Sequence, residues 1–250
     1  GFVNGVLRNI ARNRDGIKYP DKNTSPLEYY SVEYSVPVEL VEILLQDYDS
    51  ETVDRILGSS YEMRPTSIRV NTDRISVDEV ERKLEAAGIE TVRGSLNDTS
   101  LLIKGYDYVR RIPGFMDGEF VVQDQSSCLA VRAAGIQNGD LVVDVCAAPG
   151  GKTMYAASLA GQTGRVISRD LTENKTELIE ENVDRLGLTN VTVEAWDARD
   201  LDENLVGKAD VVIADLPCSG LGIMGRKNDI KYNVTGDSID ELAQLQRYIL

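Results

Sequence analysis

The chain has 250 residues, 42% of them hydrophobic and 27% charged, with a net charge of −14 at neutral pH. That length suits one large or two small domains, no apolar run approaches the roughly 20 residues that span a bilayer, and such acidity opposes indiscriminate nucleic-acid binding while leaving room for a local basic patch. There is no histidine, and the three cysteines, Cys128, Cys146 and Cys218, are widely spaced; this excludes histidine triads, the usual zinc sites, a thiolate metal site and a disulfide framework.

The first residues hold no signal-peptide core, so a cytoplasmic protein is expected. Phe2, Val3, Val6, Leu7, Ile10 and Ala11 recur at helical spacing and predict a helix over 2–13 that ends in basic residues. The turn-rich "RDGIKYPDKNTSP" reads as a linker. Two short amphipathic helices are expected at about 37–47 and 50–58. "TSIRVNT" reads as a strand, "VDEVERKLEAAG" as a helix closed by Gly88, and "IETVRGSL" and "LLIK" as strands, together a small α/β unit. "RRIPGFMDG" is a loop, and a domain boundary is placed at its end, residue 118.

From residue 119 strands and helices alternate. "LVVDVCA", "RVISRD", "VTVEAWDA" and "ADVVIADLP" read as strands; "GKTMYAASLA", "ENKTELIEENVDRLG" and "SIDELAQLQRYIL" read as helices. The pattern predicts an α/β, doubly wound, Rossmann-like parallel sheet. Four strands leave the last as an open apolar edge, from which the chain is expected to be a fragment with a truncated sheet.

"DVCAAPGGKT", residues 144–153, ends like a phosphate loop, but Cys146 stands where its first glycine belongs and Pro149 removes one N–H from the nest. The G-x-G-x-x-G fingerprint is absent too. What remains is a small-residue turn, opened by Gly150 and Gly151, between a strand and a helix N-terminus. Acids recur at the ends of the next strands, Asp170, Asp197 and Asp215. Asp170 suits a ribose diol and Asp197 an exocyclic adenine amine. A ligand with adenosine, no pyrophosphate and a cationic end fits that rim, and S-adenosylmethionine is such a ligand. Each aspartate taken singly is equally suited to capping a helix or turning a loop.

"DLPCSGLG", residues 215–222, places Asp215 three residues before Cys218 in a Pro-containing turn. Cys218 is either a small buried hydrophobe or an accessible thiol.

The two motifs together resemble the RNA 5-methylcytosine methyltransferases of the Sun/Fmu (nucleolar Nop/Sun) family. "IPGFMDGEFVVQDQSS", "RKNDIKY" and "ELAQLQ" are similar to its bacterial small-subunit rRNA branch, and "FVNGVLRNIAR" to the last helix of a NusB-like RNA-binding domain. The resemblance implies three parts: the end of the NusB-like domain over 1–18, a small α/β RNA-recognition-like domain over 19–118, and an S-adenosylmethionine-dependent methyltransferase domain over 119–250. It implies that Cys146, Ala147, Ala148, Pro149, Gly150, Gly151 and Lys152 cradle the methionine part of the cofactor. Asp170 would hold the ribose, Asp197 the adenine, and Asp215 would face the reacting centre. Cys218 would assist release of the methylated base, the nucleophile being a Thr-Cys cysteine about twenty residues beyond Leu250. The implied product is 5-methylcytosine in small-subunit rRNA, at cytosine 967 of the 16S molecule. Arg69, Asn71, Arg226, Lys227, Lys231 and the Arg-rich start would hold RNA.

The implied partner is rRNA, with no membrane and no metal; nothing in the sequence sets an oligomeric state, and a monomer is expected. Two other readings stand beside this one. The acceptor is a different group, against which the Pro-Cys turn weighs, or the chain as given binds cofactor and RNA without catalysing.

Overall fold

Four helices open the chain: α1 (Phe2–Arg12), α2 (Pro26–Glu33), α3 (Val38–Asp47) and α4 (Ser50–Ser59). The computed structural model describes residues 1–250, which divide into two units, Gly1–Met63 with Cys218–Ala243 and Arg64–Pro217 with Gln244–Leu250. In the first unit α2, α3 and α4 bury Tyr30, Leu40, Val41, Val53 and Leu57, and Met224 from the returning segment joins the same core. Asp49 accepts a hydrogen bond from the Thr52 N–H and so fixes the start of α4. α1 forms as its periodicity predicts, but none of its residues is buried. α2 begins at the end of the stretch expected to be linker. Its "PLEYYSVE" has no apolar period, and burial of Tyr30 accounts for it better than local pattern does.

In the second unit a four-stranded antiparallel sheet holds β1 (Thr66–Val70), β2 (Glu90–Arg93), β3 (Ser100–Lys104) and β4 (Phe120–Val122) in the order β2-β3-β1-β4. Helix α5 (Val77–Ala86) starts in a capping box between Ser76 and Glu79 and covers one face. Ile68, Val70, Val80, Leu84, Leu101, Ile103 and Phe120 form the core there. β4 pairs with β1, so the boundary expected at 118 cuts through this sheet. A three-residue strand after a glycine loop carries too little alternation to be read as part of the preceding unit.

The chain then forms α6 (Gln125–Ala133), a helix the sequence reading missed, with Asp124 as its cap. There follow β5 (Leu141–Asp144), α7 (Gly151–Ala160), β6 (Arg165–Asp170), α8 (Glu173–Leu186), β7 (Val191–Ala195) and β8 (Val211–Ile213). These strands are parallel, in the order β7-β6-β5-β8, the doubly wound arrangement expected. Strand order reverses between β5 and β8, and ligands of open α/β sheets bind outside the carboxyl ends at such a point. β8 pairs with β5 alone, and Val212 on it is 60% exposed. The last helix is α9 (Gly236–Ile249). No helix is long and apolar enough to cross a membrane.

Candidate cofactor site

β5 delivers the chain to the rim at Asp144, and residues 145–150 turn it into α7. Gly150 takes φ +98°, a conformation that strains any side chain, and a Cβ there would press on Ile179 Cγ2 and Met154 Cε at 3.2 Å. The turn is held from several sides. Ala147 N–H donates to the Arg169 carbonyl at 2.9 Å, Ala148 N–H to Asp170 Oδ2 at 2.9 Å, and Asn182 Nδ2 to the Pro149 carbonyl at 3.1 Å.

Thr153, the last letter of the loop motif, is fully buried. Its hydroxyl donates to Asp144 Oδ2 at 2.8 Å and lies 2.7 Å from Ser168 Oγ. A phosphate-loop threonine must face a metal-bound triphosphate; this one is locked under the strand. Asp144 is itself buried, with Oδ1 lacking any hydrogen-bond partner. Burial pushes its carboxyl up to about 6, against the stabilising Thr153 bond.

Each rim aspartate already has a cation beside it. Asp170 is buried; its Oδ1 accepts from Leu171 N–H and Lys175 Nζ, both at 2.8 Å. Burial alone would raise this carboxyl, but Lys175 and the Ala148 and Leu171 N–H groups together bring it below its ordinary value. Asp197 is gripped by the Arg199 guanidinium, with Nε at 3.0 Å from both oxygens, which lowers it to about 2. Asp215 pairs with Lys152. The rim is therefore not a bare acidic surface; three carboxylates are matched by three cations, and position rather than net charge must select a ligand.

These groups meet around a pocket of about 400 Å³ lined by Cys146, Ala148, Asp170, Trp196, Asp197 and Asp215, with Lys175 and Arg199 beside them. The volume falls in the range of small-molecule sites. Ala147, Pro149, Gly150 and Gly151 shape the turn behind it, and Lys152 reaches the rim through its pair with Asp215. Cys146 lines the pocket, but burial, reinforced by Asp170 and Asp144, pushes its thiol up to about 11. That shift favours the protonated thiol at neutral pH and weighs against a nucleophilic role for Cys146.

Nine residues that line the pocket escaped the sequence reading, and three of them carry its chemistry: Lys175, Trp196 and Arg199. Lys175 stands in the first turn of α8, five residues after Asp170, and Arg199 two residues after Asp197, spacings at which a basic residue reaches back to the acid. Trp196 Nε1 donates to the Asp200 carbonyl at 2.9 Å, and the Arg169 guanidinium lies 4.4 Å from its ring.

The residues expected to touch RNA divide. Arg226 and Lys227 are exposed. Arg69, Asn71 and Lys231 are buried, and that expectation is corrected for all three. Arg69 donates to Gln123 Oε1 at 2.7 Å and lies over the Tyr155 ring. Asn71 donates to the Gly118 carbonyl at 3.0 Å. Lys231 donates to the Tyr34 carbonyl at 3.0 Å. A sequence shows a cation's presence but not the aromatic and carbonyl groups that enclose it. Cys218 is exposed, at the head of the segment that returns to the first unit.

Residues 132–250 match the family described as 16S rRNA methyltransferase RsmB/F, and residues 36–109 match the ferredoxin-like domain of the RsmF/B-like methyltransferases. The chain belongs to the RsmB/F methyltransferase family. Within it, the chain is 37% identical over 251 residues to the probable ribosomal RNA small subunit methyltransferase B of Bacillus subtilis. It is 33% identical over 251 residues to ribosomal RNA small subunit methyltransferase B of Vibrio cholerae. Both alignments take in 100% of this chain but only 55% and 56% of the relative, so the chain spans about half the length of the curated RsmB/F relatives it matches. Among solved structures, that of PH0851 superposes with a TM-score of 0.84 at 30% identity, covering 93% of this chain and 52% of that one. NSun6 from Pyrococcus horikoshii, solved with SFG, shares the fold with a TM-score of 0.77 at 22% identity, over 85% of this chain and 78% of that one.

Proposed function

We propose that the pocket binds S-adenosylmethionine and that the chain is the cofactor-binding part of an enzyme that methylates carbon 5 of a cytosine in small-subunit rRNA. The observation that carries the first half is the convergence of the Cys146–Lys152 turn and three strand-end aspartates on one pocket at the switch point of the sheet. In that reading Asp170 accepts the ribose hydroxyls and Asp197 the adenine amine, while Ala148 and Cys146 present the turn to the methionine part. Bound S-adenosylmethionine supplies a methyl group on a positively charged sulfur, open to attack by an electron-rich carbon.

Carbon 5 of cytosine becomes electron-rich when a thiolate adds to carbon 6. The sequence resemblance implies that this thiolate belongs to a Thr-Cys motif beyond Leu250, with Cys218 in the Pro-Cys turn. Asp215 would act as the acid near N3 of the base as the thiolate adds, with Lys152 beside it to meet the negative charge that develops there. Cys218 would take part in removal of the carbon-5 proton, after which the thiolate leaves carbon 6. The base must be unpaired or turned out of a helix to reach the pocket. The names of the relatives support rRNA as acceptor, and cytosine 967 is the target that the sequence resemblance implies.

Calorimetry on the chain tests the first half: S-adenosylmethionine binds and ATP does not, whereas tight ATP binding without S-adenosylmethionine binding overturns it. In the longer protein, Cys218→Ala traps a covalent RNA adduct on denaturing gels; an adduct-free variant with normal turnover overturns the role given to Cys218.

A further inference from the structure

Lys231 is a buried cation with no carboxylate partner. Only 5% of its surface is exposed. Its ammonium lies 3.0 Å from the Tyr34 carbonyl, 5.5 Å from the Tyr61 ring and 5.6 Å from the Tyr232 ring. Burying an ammonium is costly unless its charge is met. Here it is met by two aromatic faces and by the C-terminal end of α2, where helix carbonyls gather negative potential. Tyr34 is the residue that closes that helix.

The surrounding bonds converge on the same corner. Tyr61 OH donates to the same Tyr34 carbonyl at 2.7 Å, and Tyr232 OH to the Ser35 carbonyl at 2.6 Å. Ser35 is the one non-glycine residue with positive φ, at 46°. Such a conformation persists only where its surroundings hold it. Next to Lys231, Ile230 packs into the core of α2–α4 together with Leu221 and Met224. The Ile230 side chain also packs over Gly220, which has φ +73°: a Cβ there would press on Ile230 Cδ1. Gly220 stands two residues after Cys218. An unbroken series of contacts thus runs from the α2 terminus through Lys231 and Ile230 to the backbone beside the exposed thiol.

We propose that Lys231 is a positioning residue: the cation–tyrosine cage fixes the 218–235 segment to the N-terminal helices and so sets the backbone that carries Cys218. The "RKNDIKY" stretch then serves to anchor the backbone beside Cys218 through its lysine. The catalytic consequence rests on the role proposed above for Cys218.

The test uses the longer protein, with Lys231→Met, Lys231→Arg and Cys218→Ala compared for adduct accumulation on an rRNA fragment. Hydrogen exchange is followed in the same proteins. Lys231→Met removes the charge at similar length. It is expected to speed exchange in residues 218–224 at least ten-fold with residues 144–153 unchanged. It should also accumulate covalent adduct as Cys218→Ala does, with KM for S-adenosylmethionine within two-fold of the parent. Lys231→Arg, which keeps a cation over the rings, restores most of the protection and most of the turnover. If Cys218→Ala traps adduct and Lys231→Met exchanges and turns over as the parent does, the positioning role is wrong. If Cys218→Ala traps nothing, the role of Cys218 falls, and unchanged exchange in 218–224 still overturns the anchoring by itself. Should Lys231→Met loosen residues 40–57 as well, Tyr232→Phe removes one hydrogen bond and no charge; faster exchange confined to 218–224 supports the proposal, and unchanged exchange there refutes it.

Discussion

Asp170→Ala is the sharpest perturbation of the pocket. A carboxylate offers about four acceptor positions. Three are in use: Ala148 N–H on Oδ2, and Leu171 N–H and Lys175 Nζ on Oδ1. Accepting two ribose hydroxyls therefore requires Lys175 to withdraw, and its side chain is 50% exposed and free to do so. Two hydrogen bonds to a charged acceptor contribute about 3 kcal/mol or more, and releasing a half-exposed lysine costs up to about 1 kcal/mol. The net loss in Asp170→Ala is then about 2–3 kcal/mol, or roughly 30- to 150-fold in Kd. Calorimetric titration of S-adenosylmethionine measures it, with thermal melting alongside because the variant also strands the Ala148 and Leu171 N–H groups. Lys175→Met gives the complementary arm, with affinity unchanged or improved. A folded Asp170→Ala protein that binds within three-fold of the parent would refute the reasoning.

Asp144 makes stability depend on pH in an unusual sense. Its folded value of about 6 lies above the ordinary 3.8, so from about pH 4 to pH 6 the folded chain binds the extra proton and loses stability as pH rises, by about 3 kcal/mol in all. Urea unfolding at pH 4.5 and 7 should show this slope in the parent relative to Asp144→Asn, and parallel behaviour of the two would refute the burial argument. Trp196 is the single tryptophan and lines the pocket; its fluorescence should change on saturation with S-adenosylmethionine, and an unaltered spectrum alongside calorimetric binding would move the cofactor elsewhere. With its thiol near 11, Cys146 should be alkylated by iodoacetamide at pH 8 at least ten-fold more slowly than exposed Cys218, as read by peptide mass spectrometry. Equal rates would return Cys146 to the list of reactive thiols.

Legibility followed periodicity. The parallel strands and α7, α8 and α9 were readable because apolar runs alternate with amphipathic stretches of ordinary length. α2 was not, since its apolar residues follow no helical stripe and contacts with other elements supply the stabilisation; α6 was missed although Cys128 and Val131 recur at helical spacing, because nine residues hold only that one buried pair. β4 was missed as a member of the first sheet because three residues hold no usable pattern. At the site, Asp170, Asp197 and Asp215 stood out as acids at strand ends, and all three line the pocket. Their partners Lys175, Arg199 and Lys152 did not stand out as partners, for a pair is a spatial fact. The same limit misassigned Arg69, Asn71 and Lys231: an unpaired basic residue in sequence suggests a phosphate, whereas here an amide, a carbonyl and aromatic rings enclose them.

The account stands most directly on the modified nucleoside. Small-subunit rRNA from cells lacking the gene, incubated with the longer protein and methyl-labelled S-adenosylmethionine, should yield 5-methylcytidine as the labelled nucleoside on mass spectrometry, and roughly 30- to 150-fold less of it with Asp170→Ala at limiting cofactor. Label recovered in an exocyclic-amine or ribose methyl group, with no 5-methylcytidine, would contradict it.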